Sequence, residues 1–389
     1  MAAQTVGVKP TILKWARESL GYSIGEVAER LNRDPEEVRG WEAGEGAPTY
    51  AQLERLAYEL YKRPLAIFFF PEPPIEPEPQ REFRTLPATD LDSLHPDTRY
   101  QIRIALSLQE SLRELNGNRN PSDKCIFRDI KLSFQNDVAE QAAQVRNYLQ
   151  VDMGMQIAWR DEDEALKSWR SAIEEVGIFV FKNTFKQKSI SGFCLLDDEF
   201  PIIYLNNSTA KNRQIFSLMH ELAHVLLQVS GISKFDSDYI DKLGKKEQQI
   251  EKFCNLFAAE ILIPIDDFRE QIEHISEVTD SAVQKIAKRY CVSRESVLRR
   301  FLDLSLVTLA YYLRKSSEWN AQYDSGKSPP GGDYYATQAS YLGEKYLRSV
   351  FEKYYQGRLN LNQVSEYLGV KVKSIPGLEA IISRKGILA

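Results

Sequence analysis

His220, Glu221 and His224 are the residues whose types and spacing point most directly to chemistry. Two histidines four apart on a helix project from one side, one turn above the other, close enough to hold a single metal ion. The glutamate between them is placed as a general base, accepting a proton from the metal-bound water that attacks a scissile amide carbonyl. Coordination lowers that water's pKa from about 15.7 to about 7, so hydroxide is available near neutral pH. Ile215, Leu218, Met219, Leu222, Val225 and Leu226 form one apolar stripe on the same helix. That stripe is expected to pack while the histidines face a cleft.

A catalytic zinc keeps three protein ligands and one open position, so a third ligand is required. No histidine stands at the metzincin spacing after His224, which leaves a downstream carboxylate. A helix read over Glu247 to Ile263 offers Glu247, Glu251 and Glu260. Its apolar stripe of Ile250, Cys254, Phe257, Ala258 and Ile261 places Glu251 and Asn255 together on a neighbouring face. Glu251 is therefore the expected third ligand, and Asn255 the expected hydrogen-bond partner that fixes the tautomer of His220 or His224. Glu247 is the spare candidate, Glu260 is expected to be structural, and Cys254 is expected to face away from the metal. Zinc is the expected metal, with manganese as the alternative. His95 and His274 lie in polar surroundings and are expected to be solvated.

The elements that must position these residues follow from pattern. Helices are expected over Asn212 to Ser230 and Glu247 to Ile263, the second stopped by Pro264. Gly177 to Phe181, Ile190 to Leu196 and Pro201 to Leu205 read as strands, rich in β-branched and aromatic types. The strand Ile202 to Leu205 is one place where a peptide substrate could add to an exposed sheet edge. Tyr204 on it is a candidate to stabilise an oxyanion.

The segment Pro10 to Phe70 reads as five short helices with Ser23, Asp34 and Thr49 as caps. The tight Asn32 to Asp34 connection between two of them resembles the helix-turn-helix of Cro and phage-repressor-type regulators. This module carries eight basic and ten acidic residues, so its fit to DNA is poor and a protein partner is the alternative. Arg33 and Arg39 are its candidate DNA contacts. Five prolines between Pro71 and Pro79 mark a stiff linker.

The expected organisation is a helix-turn-helix domain over 10–70, a linker over 71–88, a peptidase domain over 89–306 and a helical region over 307–389. The fold class is mostly α with a small β-sheet, α+β. The net charge of -5 argues against a general nucleic-acid coat. The four scattered cysteines lack CxxC spacing and suit a reducing compartment, where they serve as small buried hydrophobes. Met1 to Lys9 lacks a signal-peptide pattern and no apolar run is long enough to cross a bilayer, so a cytoplasmic protein without a membrane partner is expected.

The segments Pro201 to Asn207, Arg213 to His224 and Glu251 to Pro264 together resemble the ImmA/IrrE family of metallopeptidases, a likeness covering about Val176 to Leu306. A repressor-like helix-turn-helix ahead of the peptidase is also an arrangement of that family. The resemblance implies a zincin-like, gluzincin-type domain with His220, His224 and Glu251 as ligands and Glu221 as base. It also implies an endopeptidase that cleaves a repressor or antitoxin-like partner to control transcription of stress or mobile-element genes. The alternative is a non-catalytic DNA- or protein-binding regulator that retains the peptidase fold.

Overall fold

The computed structural model describes residues 7–76, 94–234, 240–241, 243–325 and 332–384. Much of the proline-rich linker, residues 77–88, lies outside the described residues, as does 326–331 of the glycine-proline loop. The chain divides into two compact units, one formed by 1–106 with 185–187 and the other by the remainder, the division falling within the helix Pro96–Asn116. Helices dominate, with a single four-stranded sheet among the described residues.

In the first unit, local signals set the helix ends. Ser23 and Glu26 form a capping box ahead of Ile24–Leu31, and Asp34 caps Pro35–Ala43 through the amide of Glu36. Between these helices Asn32 takes a left-handed conformation, φ 55°, which asparagine tolerates. Thr49 caps Tyr50–Glu54, and the helix then widens into a π-helical segment, Arg55–Leu60. The wider turn brings Leu56, Ala57, Leu60 and Tyr61 into the core together, packed with Ile12, Val27, Val38 and Trp41.

The second unit is built around a sheet of β1 (Phe179–Asn183), β2 (Ile190–Leu195), β3 (Ile202–Asn206) and β4 (Ile232–Lys234), in the order β1-β3-β2-β4. β1 runs parallel to β3, while β2 is antiparallel to both β3 and β4. Side chains alternate across a strand. Val180, Cys194, Ile203 and Leu205 point into a core shared with Trp169, Ile173, Ile215, Leu218 and Leu222. The opposite face carries Phe181, edge-on to Tyr346 at 5.2 Å, and Phe193, stacked on Tyr204 at 5.1 Å.

Two expectations are corrected here. β3 is an inner strand paired on both sides, so it offers no free edge to a peptide. Its five consecutive buried residues are the signature of such a strand. Tyr204 stands on the face opposite Ile203 and Leu205, away from the helix that carries His220, and so cannot serve as an oxyanion donor there. β4 is three residues long and carries too little pattern to be read from sequence.

The helix Lys245–Leu262, which carries Glu251, packs along Lys211–Leu226, which carries His220. Its C-terminal end is held by buried side chains. Arg146 donates to the carbonyl of Ile261 (2.6 Å), Gln156 to Leu262 (2.9 Å) and Arg300 to Ile263 (3.0 Å from Nε), so three terminal carbonyls without helical partners are satisfied. Arg300 also pairs with Glu260, whose other oxygen accepts the amide of Ile265 at 2.8 Å. Glu260 is thus structural, as expected. Arg300 and Glu260 are both buried, so removing the cation alone strands a carboxylate in the interior. Arg300→Met is expected to cost about 3–5 kcal/mol in denaturant unfolding, and Arg300→Met with Glu260→Gln to recover most of it. A single-variant loss under about 1 kcal/mol would refute this role for the pair.

Beyond the sheet, Asp280–Tyr290 and Arg294–Asp303 repeat a helix-turn-helix rhythm, Leu309–Ser325 follows, and the described residues from Tyr334 to Arg384 form four α-helices and one short 3-10 turn. No helix among the described residues is long and apolar enough to cross a membrane.

Candidate metal centre

Lys211–Leu226 is buried along most of its length because it has neighbours on more than one side: the sheet, the Glu162–Glu175 helix and the Glu251 helix all pack against it. The histidine face is covered by the Glu251 helix. His220 is 4 % exposed, His224 1 % and Glu221 0 %. The apolar stripe packs as the spacing suggested, and the histidine face is closed as well.

Spacing of four residues brings the imidazoles together, with Nε2 of His220 and Nε2 of His224 3.1 Å apart. Glu251 reaches across from the neighbouring helix, placing Oε2 3.2 Å from His220 Nε2 and Oε1 3.4 Å from His224 Nε2. Three lone-pair donors thus converge in a buried site, an arrangement that repels itself unless a cation or shared protons lie between them. Metal bonds of about 2.0–2.1 Å at tetrahedral angles would separate neighbouring donors by about 3.3 Å. The observed separations of 3.1, 3.2 and 3.4 Å fit that edge length.

Asn255, one turn beyond Glu251, accepts from His220 Nδ1 at 2.9 Å. A proton held at Nδ1 leaves the Nε2 lone pair free to face the donor cluster. Burial alone would raise the Glu251 carboxyl, but His224 and His220 beside it hold it well below the usual carboxylate range. Burial dominates for Glu221 and pushes its carboxyl up, against the pull of His224, His220 and the Ser233 hydroxyl. Neither Glu221 oxygen has a hydrogen bond of ordinary geometry among the described residues, which leaves the group poised to take up a proton.

Sequence reasoning missed two contributors. Gly231, just before β4, lies so close to His224 that an added Cβ would fall 2.7–2.9 Å from three atoms of the imidazole ring. Cys254, expected to face away, instead turns toward the histidines: donor atoms of His220, His224 and Cys254 all lie within 4.8 Å of one another. A signal was present, since Cys254 stands three residues after Glu251 and shares its side of the helix. The spare candidate Glu247 lies over Gly244 at the start of its helix. His274 is exposed in a turn, and in the first unit His95 accepts the amide of Asp97 through Nδ1 at 3.1 Å. Arg33 and Arg39 are exposed in the first unit, the former 3.8 Å from Glu37 and the latter paired with Glu36.

Residues 173–302 match the family model of the IrrE N-terminal-like domain, and residues 13–59 match a helix-turn-helix model. The chain carries an IrrE-like domain behind a helix-turn-helix. The IrrE-like region takes in the sheet, both helices of the donor cluster and Arg300. The chain is 35% identical over 117 residues to the radiation response metalloprotease IrrE of Deinococcus radiodurans, covering 30% of this chain and 35% of that protein. It is 34% identical over 117 residues to the protein of the same name from Deinococcus deserti, covering 30% of this chain and 41% of that one. The chain therefore spans between a third and about two fifths of the length of these curated relatives.

Proposed function

We propose that this protein is a zinc-dependent endopeptidase that cleaves a regulatory protein, with its IrrE-like domain as the catalytic unit. The observation that carries this reading is the buried convergence of His220, His224 and Glu251 at 3.1–3.4 Å, with Glu221 beside it. His220, His224 and Glu251 would hold the metal, and the set of two imidazoles and a carboxylate suits zinc, with manganese the alternative. When bound, the metal supplies Lewis-acid polarisation of the substrate carbonyl and lowers the pKa of the attacking water. Glu221 removes the proton from that water and passes it to the departing amide nitrogen; its raised pKa brings the carboxyl closer to the range in which both transfers are efficient. Asn255 positions His220, and Gly231 leaves room for the His224 ring.

β4 ends the sheet order among the described residues and adjoins the site through Gly231, which supports its outer edge as the place where an extended substrate would add as a strand. Two features favour a protein target over DNA for the helix-turn-helix unit. The module is acidic overall, Arg33 lies 3.8 Å from Glu37, and Arg39 is paired with Glu36 on its own helix. Relatives named as radiation response metalloproteases support a role in a stress response, and the family resemblance supplies the repressor or antitoxin-like kind of target. The test is a comparison of new protein N-termini in cells expressing the parent chain or Glu221→Gln. A cleavage product confined to the parent supports the reading; identical N-terminal profiles, with both proteins folded and loaded with metal, would turn it toward a non-catalytic regulator.

A further inference from the structure

All four cysteines are buried, but their surroundings differ. Cys125 donates to the carbonyl of Ser122, Cys194 to Val229, and Cys291 to Trp159 and Lys288. The Cys254 thiol, fully buried, donates to no backbone carbonyl among the described residues. Its polar neighbours are the two imidazoles of the donor cluster, within 4.8 Å. Cys254 stands three residues after Glu251, so one face of one helix presents a carboxylate and a sulfur toward the same pair of histidines.

We propose that Cys254 supplies a fourth protein donor, a thiolate, to the metal held by His220, His224 and Glu251, so that the resting centre is closed. This rests on the metal-site reading above and deepens it. Thiolate is a preferred zinc ligand, and four protein donors describe a closed site, whereas catalysis needs one position open to water. Coordination forms a sulfur–metal bond, and the thiol proton passes to solvent. Opening breaks that bond and returns a proton to the sulfur. The peptidase is then latent by construction, and cleavage begins only when the sulfur gives up its place. Cys194 cannot substitute, because its thiol is engaged with the Val229 carbonyl.

The test is cobalt(II) substitution of the full chain. The parent should show a thiolate-to-cobalt charge-transfer band in the near ultraviolet. Cys254→Ala and Cys254→Ser should bind the same amount of cobalt without that band and release it to a chelator at least about tenfold faster. Cys194→Ala should keep the band. The serine variant preserves side-chain size should the alanine variant fold poorly. Cobalt bound by the parent with ligand-field bands alone, or a band that disappears with Cys194→Ala instead, overturns the proposal and leaves the histidine–glutamate site standing. Failure of the folded parent to bind cobalt at all would remove both.

Discussion

Glu221→Gln is expected to lower peptide cleavage by about 10²–10⁴-fold while metal content stays at the parent level. Glutamine has nearly the same shape, so it fills the same buried space without leaving a void. It cannot accept a proton as a carboxylate does. Glu221 is not one of the three donors that converge at 3.1–3.4 Å, so its replacement leaves the metal ligands in place. Burial raises its pKa, so the neutral amide costs the fold little. Cleavage would be followed on the product identified from the N-terminal comparison, alongside elemental analysis. Activity within about tenfold of the parent would exclude Glu221 as the general base.

Gly231→Ala is expected to weaken metal binding by about 100-fold without unfolding the protein. The new Cβ would lie 2.7 Å from Cε1 and 2.9 Å from each nitrogen of the His224 ring, closer than real side chains approach. The backbone has little freedom to retreat, because the Gly231 carbonyl accepts the amide of Cys194 at 3.2 Å on the neighbouring strand. The imidazole must yield instead, and in a site only 1 % exposed its displacement carries Nε2 away from the other donors. Titration with zinc, beside a melting curve, separates the two effects. Parent-like affinity in a folded Gly231→Ala protein would mean that the ring tolerates the contact and that Gly231 has no positioning role.

The site was legible in sequence wherever its logic is a helical period. His220 and His224 are four apart, and so are Glu251 and Asn255; those spacings brought the four side chains together before any tertiary information was available. The two helices themselves were readable from apolar stripes and from Pro264 as a stop. What a single helix cannot reveal is which neighbour lies on each of its faces. Cys254 fell on an apolar stripe and was assigned to the core, yet the same stripe borders the second histidine. The histidine face of the His220 helix is covered by the Glu251 helix along its length, an extent of contact that spacing does not reveal.

Strand order is likewise a long-range property. Ile202 to Leu205 has the composition of a strand, but only pairing with both β1 and β2 shows it to be internal, and only the alternation of its side chains sends Tyr204 to the far face. Gly231 carried no local signal, since nothing in its neighbours in sequence announces an imidazole against its Cα. The mostly helical class with a small sheet and the capping of the second, third and fourth helices by Ser23, Asp34 and Thr49 were readable, because caps and periods are local.

The most direct test of the central claim is the metal content of the purified full chain, measured by elemental analysis beside His220→Ala and Glu251→Ala at equal folded concentration. The account predicts about one equivalent of zinc or manganese in the parent and almost none in either variant. A folded parent that stays metal-free after reconstitution, or variants that retain as much metal as the parent, would contradict it.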